Sequence, residues 1–198
     1  MLPHMTPEET MTFNKYLLHS TNYFEYGSGG STYMAAGLPN IKHMCTVEAD
    51  ETWIDEMKMT SDEVKHRMEN NTIQFYVIDI NCDSTFWSYP KDVSKKDEWS
   101  KYPSALTNYI RTHGMYPDFI LVDGRFRVAC VVKVLMELHD SQPIIAIHDY
   151  ADRECYHVVE EFMDVLEQVD SLVVFRARKD IDLGYLKYMY DHFVHDVR

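Results

Sequence analysis

Apolar residues come in short bursts separated by stretches with helical spacing, and the two alternate along the chain. Tyr23-Phe24-Glu25-Tyr26 breaks into Gly27-Ser28-Gly29-Gly30-Ser31-Thr32 and resumes as Tyr33-Met34-Ala35-Ala36, which predicts a strand, a tight loop and a helix. A second burst, His43-Met44-Cys45-Thr46-Val47, ends in Glu48, and Ile73 to Ile80 forms a third with Asp79 at its end. Asp118 to Gly124 and Pro143 to Ile147 read as buried strands, the first followed by a helix with Val128, Val131, Val132, Leu135 and Leu138. After His148-Asp149-Tyr150 the spacing of Val158, Phe162, Val165, Leu166 and Val169 predicts a helix. Ser171 to Phe175 then predicts a strand, and Tyr185, Tyr188, Met189 and Phe193 mark a final helix.

Upstream, Thr6-Pro7-Glu8-Glu9 has the form of a helix start, with Thr6 as N-cap and Glu9 placed to close a capping box, for a packing helix to about Leu18. Asp50 or Thr52 caps a helix carrying Trp53, Ile54 and Met57, and Ser61-Asp62-Glu63 starts another that Asn70-Asn71 stops. Cys82 to Tyr102 is the least regular segment. The alternation implies an α/β fold with a single doubly wound, mostly parallel sheet and helices on both faces. The expected domain spans 1–198, with an N-terminal helix in 1–20 and an aromatic loop insertion at 82–102.

In such a sheet, ligands bind at the carboxyl ends of the strands. Gly27 to Thr32, Glu48, Asp79, Asp123 to Arg127 and His148 to Tyr150 all follow strands and are therefore able to converge. Glycines let a ligand approach the backbone, and an acid ending the next strand is placed to accept ribose hydroxyls, so Gly27 to Thr32 and Glu48 point to a dinucleotide or nucleoside cofactor; a plain structural turn is the alternative for the loop alone. Asp79, Ile80 and Asn81 are candidates for contact with a base, or Asp79 is a satisfied strand-end carboxylate. Among the aromatics of 82–102, Trp87 suits stacking on a flat ligand or sugar face, while Trp99 reads as an anchor of the loop. His148 has the intrinsic pKa to take a proton from a hydroxyl, oriented by Asp123 or Asp149, or it is a core histidine. Arg125 and Arg127 either hold an anionic substrate group or pair with the acids nearby.

Charge narrows the partners. A formal net charge of −13 repels a phosphate backbone, so no nucleic-acid substrate is expected. No apolar run reaches bilayer length and no secretory signal is visible, so the expectation is no membrane association and a cytoplasmic, intracellular location. Cys45, Cys82, Cys130 and Cys155 lack Cys-x-x-Cys spacing and read as reduced and structural.

Glu25-x-Gly27-x-Gly29-Gly30-Ser31-Thr32, with Glu48 in second-motif position, resembles class I S-adenosylmethionine-dependent methyltransferases; Thr32 stands where the dinucleotide fingerprint requires glycine. The resemblance implies a Rossmann-like fold and S-adenosyl-L-methionine as cofactor, held by Glu25, Gly27, Ser28, Gly29, Gly30, Ser31, Thr32, Glu48, Asp79 and Asp123, with Glu25 near the methionine amino group. Asp123-Gly124 and His148-Asp149-Tyr150 further resemble the strand-end acids of magnesium-dependent small-molecule O-methyltransferases, in particular the sugar-methylating branch. That likeness implies methyl transfer to a hydroxyl of a small-molecule, sugar or glycan acceptor, with Asp123, His148, Asp149 and Arg125 as catalytic residues and Asp123 and Asp149 as ligands of Mg or Mn. His148 replaces the first of that branch's two adjacent acids, which leaves a metal-free site open, and the residues after Asp123 where its general base lies are Arg125 and Phe126. A non-catalytic cofactor-binding module partnering a glycan-assembly enzyme is the alternative.

Overall fold

The computed structural model describes residues 1–198. Strands β1 (Asn22–Tyr26), β2 (His43–Glu48), β3 (Ile73–Val77), β4 (Phe119–Val122), β5 (Ile144–Ile147), β6 (Met163–Val169) and β7 (Leu172–Ala177) form one seven-stranded sheet in the order β3-β2-β1-β4-β5-β7-β6. The five from β3 to β5 are parallel, and β7 runs antiparallel to both its neighbours. The helices are α1 (Pro7–Leu17), α2 (Gly30–Ala36), α3 (Glu51–Thr60), α4 (Asp62–Glu69), α5 (Lys101–His113), α6 (Arg127–Leu138) and α7 (Leu183–Phe193). This is the doubly wound, Rossmann-like architecture that the alternation of patterns implies.

Side chains alternate across each strand and give the sheet two cores. Phe24, Tyr26, Ile120 and Val122 join residues of α5, α6 and α7 in a cluster of 34 buried residues. Tyr23, Phe119 and Leu121 face the other way, into a cluster of 15 with Phe13 and Leu17 of α1, Ala35 of α2 and Met57 and Val64 of α3 and α4. Local signals set the helix starts. Thr6 accepts from Glu9 N while Glu9 accepts from Thr6 N, Asp50 accepts from the amides of Thr52 and Trp53, and Ser61 accepts from Val64 N.

One predicted element is different. Val158 to Val169 is not a helix: Glu154–Glu161 forms 3₁₀ turns, and Met163–Val169 is the outer strand of a hairpin that reverses at Asp170-Ser171. Asp170 takes a positive φ of 47°, and a bulge between Val165 and Glu167 breaks the strict alternation. Val165 and Leu166, which the helical spacing assigns to a core, are exposed on this edge strand. Pairing to β7 overrides the local pattern. The segment 82–100 is held by a two-residue antiparallel ladder, Cys82–Asp83 with Tyr89–Pro90, before α5 begins.

Candidate active site at the carboxyl ends of the strands

The chain winds from β1 outward to β3, returns, and winds from β4 in the opposite direction, so a crevice opens beyond the ends of β1 and β4. Gly27 ends β1 and Gly124 follows β4, and the two backbones touch: a Cβ on Gly27 would lie 2.7 Å from Gly124 N, and φ at Gly27 is +89°. Only glycine fits at position 27. The crevice widens into a cleft of about 760 Å³ whose lining includes Gly27 to Ser31, Glu48, Trp53, Trp87, Tyr89, Asp123 to Arg125, Arg127, His148, Asp149 and Arg153. That volume suits a cofactor-sized ligand. Residues 1–5 roof one side, with Leu2 and Pro3 packed on Gly30 and His4 edge-on to Trp87.

The glycine loop is shaped from within. Gly27 N donates to Val47 O, Ser28 N to Glu48 Oε2 at 3.0 Å, and Gly29 N to Thr32 Oγ1 at 2.9 Å, while the Trp53 indole donates to Ser28 O. Glu48 lines the cleft with its carboxylate filled: Oε2 also accepts from Ser28 Oγ at 2.8 Å, and Oε1 accepts from Ala49 N and Asp50 N. Of these four donors the Ser28 hydroxyl alone is free to turn away. Glu25 does not reach the cleft. It is fully buried beneath the loop and accepts from Tyr23, Ser31 and Thr32 hydroxyls. Burial pushes its carboxyl up to about 7, against the lowering effect of those hydrogen bonds. Thr32 is likewise buried, and Asp79 is solvent-exposed, bonded to Asn81 N and paired with Lys95, outside the cleft lining.

At the ends of β4 and β5, Asp123, His148 and Asp149 place one potential ligand atom each within 4.8 Å of one another. The resemblance implies Mg or Mn there, and two acids facing one cleft repel each other unless a cation or a proton sits between them. The chain supplies that cation itself. Arg127 Nη2 lies 3.2 Å from Asp123 Oδ1 and 3.4 Å from Asp149 Oδ2. Its guanidinium is buried and fixed by the carbonyls of Gly124, Asp123 and His148, and Arg153 adds a second contact to Asp149 at 2.8 Å. A divalent ion bound through Asp123 Oδ1 and Asp149 Oδ2 would have to share those oxygens with this fixed positive charge, so the residues as arranged do not fit a resident metal there.

His148 is the hub of this cluster. Its Nδ1 lies 3.1 Å from Asp123 Oδ1, and its Nε2 lies 3.4 Å from Glu9 Oε2 in a charge contact that is not a hydrogen bond. Burial depresses the imidazole pKa, but the Asp123 hydrogen bond and the charges of Asp123, Asp149 and Glu9 outweigh burial and raise it. Burial in turn raises Asp123, and His148 with Arg127 more than reverses this, holding its carboxyl below the ordinary range. Asp149 and Phe126 both adopt positive φ, 51° and 57°, which turns the strand ends sharply into the cluster. Glu9 is the residue the sequence reading assigns only to capping. Besides capping α1 it accepts from Ser171 N, Ser171 Oγ and Leu172 N, and so ties α1 to the β6–β7 hairpin and to His148. Arg153, four residues after Asp149, and Tyr89, under Arg125, are further site residues that no sequence spacing singled out. Trp87 stands exposed at the cleft rim, while Trp99 is buried against Phe126.

Solved structures share the fold, among them two that align over most of their own length. A methyltransferase-like protein from Silicibacter pomeroyi DSS-3 aligns over 98% of this chain and 97% of its own, with a TM-score of 0.80 and 29% identity. An Escherichia coli protein described as a candidate methyltransferase aligns over 89% and 88%, with a TM-score of 0.52 and 10% identity. No protein-family model matches the sequence, and no curated protein does either.

Proposed function

We propose that this chain, whose fold is that of the class I S-adenosylmethionine-dependent methyltransferases, binds S-adenosylmethionine in the cleft between β1 and β4 and transfers its methyl group to a hydroxyl of a small molecule. The observation that carries the reading is the joining, in one cleft, of the loop Gly27 to Ser31, Glu48 and the His148–Asp123 pair. The loop's amides at 27, 28 and 29 are spent on the protein, which disfavours a pyrophosphate cradle and favours a nucleoside cofactor without phosphates.

When bound, the cofactor supplies a methyl group on sulfonium, already electrophilic. The chain's own part is then to hold the acceptor in line, exclude water and take a proton. Asp123 accepts from Nδ1–H of His148 and so leaves Nε2 as the basic nitrogen; Glu9 faces Nε2 without a hydrogen bond, so the accepting capacity of that nitrogen is left for an acceptor hydroxyl. Arg127, bridging Asp123 and Asp149, and Arg153, on Asp149, supply the positive charge these acids need without a metal, so activity is expected to persist in excess chelator. Trp87 at the rim offers an aromatic face to a sugar ring, and a net charge of −13 disfavours nucleic acid, so a sugar or glycan acceptor is the first choice.

The test is a panel of sugar, phenolic and nucleoside acceptors with methyl-labelled cofactor, run with and without chelator. Label appearing on a sugar hydroxyl at equal rates in both conditions supports the reading. Transfer that vanishes with chelator and returns with Mg²⁺ contradicts the assignment of the cation to Arg127, and transfer to nucleosides alone contradicts the acceptor class.

A further inference from the structure

The charges at the strand ends pair off with one remainder. Arg127 takes Asp123 and Asp149, Arg153 takes Asp149, and His148 sits between Asp123 and Glu9. Arg125, two residues beyond Asp123, has no carboxylate within ion-pair distance. It is 6% exposed, its guanidinium donates no hydrogen bond to the protein, and its Nη1 is buried without any partner. Only a ring covers it: the guanidinium carbon lies 4.1 Å from the centroid of Tyr89. A ring face offsets only part of the hydration that a buried guanidinium gives up. The side chain lines the same cleft as Gly27 to Ser31 and His148. The two arginines that the sequence reading left equivalent therefore differ: Arg127 is a structural clamp, and Arg125 is a cation held ready beside an open site.

We propose that Arg125 is an anion-binding residue whose guanidinium takes the carboxylate of a ligand in this cleft. Arginine is the residue for this task, because its planar fork matches a carboxylate with two parallel N–H···O bonds and stays charged when desolvated. Tyr89 covers the guanidinium, and Arg127 with Arg153 engages Asp123 and Asp149, which keeps those acids from competing for it. The carboxylate has two possible bearers: the amino-acid end of the methyl donor, or an acidic acceptor such as a uronic acid. The identity of the bearer rests on the methyl-donor reading above; the anion site itself does not.

The experiment is calorimetric titration of the full chain as wild type, Arg125→Met and Arg125→Lys, together with their melting temperatures. Without ligand, Arg125→Met is expected to melt at or above the wild type, since an apolar chain on Tyr89 replaces an unpaired buried charge. If the donor bears the carboxylate, the wild type binds S-adenosylmethionine on the order of ten- to a hundredfold more tightly than its decarboxylated analogue, and Arg125→Met binds the two alike. If the acceptor bears it, both proteins treat the two donors alike, but glucuronate binds saturably to the wild type with S-adenosylhomocysteine present and not to Arg125→Met. Arg125→Lys, which keeps the charge and loses the fork, should be weakened in whichever arm responds, and it decides the question should the Met variant fail to fold. The proposal is overturned if neither arm changes on substitution, or if Arg125→Met melts well below the wild type while binding every probe as before. A wild type that binds neither S-adenosylmethionine nor S-adenosylhomocysteine sinks the methyl-donor reading instead. Glucuronate titrated into the free protein then tests the anion site alone, loss of binding in Arg125→Met supporting it and no binding to the wild type refuting it.

Discussion

A histidine flanked by two carboxylates holds its proton longer than a free one, and His148 has Asp123 on one ring nitrogen and Glu9 facing the other. Its pKa is raised above the ordinary 6.5, and a base works only in the neutral form. The proton-bound fraction therefore falls, and kcat/KM rises, as pH climbs through a value above 6.5, with the plateau on the alkaline side. Asp123→Asn removes the nearest raising charge, so the ascending limb should move to lower pH even as turnover drops; His148→Ala should cost on the order of a hundredfold or more. A pH–rate profile checks both, and a limb that stays in place in Asp123→Asn assigns the titration to another group. The convergence of Asp123, His148 and Asp149 was legible in the sequence because each follows a strand. The partners were not: Glu9 lies 139 positions from His148 and is read locally as a cap, and nothing in the spacing Asp123-Gly124-Arg125-Phe126-Arg127 says which arginine turns inward to the carbonyls.

The unit β1–loop–α2 is held from below by Glu25, whose carboxylate gathers Ser31 and Thr32 at the start of α2 with Tyr23 of β1. That carboxylate is fully buried, and its folded pKa of about 7 stands above the ordinary 4.5 because burial disfavours the charged form. The folded state thus binds the proton more tightly than the unfolded chain. Its stabilising contribution is complete below about 4.5 and is lost as pH rises through about 7, a swing of roughly 3 kcal/mol. Glu25→Gln keeps an acceptor oxygen for the hydroxyls and removes the titration, so its melting temperature should vary less between pH 5 and 8 than that of the wild type, with the gain at the alkaline end. Melting curves across that range check this; parallel curves for the two proteins would show that Glu25 does not titrate there. The loop was legible because glycines and the following acid have few alternatives. The hairpin β6–β7 was not: Val158, Phe162, Val165, Leu166 and Val169 match a helical stripe, and only pairing with β7, a contact that periodicity does not carry, makes the last three part of a strand.

Across the whole molecule, two cores on opposite faces fix the sheet, and the reversal of winding between β1 and β4 delivers Gly27, Glu48, Gly124 and His148 to one edge of it. The alternation of strands and helices was enough to foresee this convergence, since ligands of doubly wound sheets bind at that edge whatever their chemistry. No helix is long and apolar enough to cross a membrane. The central claim is that the cleft takes S-adenosylmethionine with its ribose on Glu48, and calorimetric titration of S-adenosylmethionine and S-adenosylhomocysteine into the wild type and Glu48→Ala tests it most directly. Saturable binding of both to the wild type is predicted. Glu48→Ala should weaken it about tenfold or more, since it leaves the ribose hydroxyls and the amides of Ala49 and Asp50 without their acceptor. Binding of NAD alongside no binding of either adenosyl ligand would contradict the account.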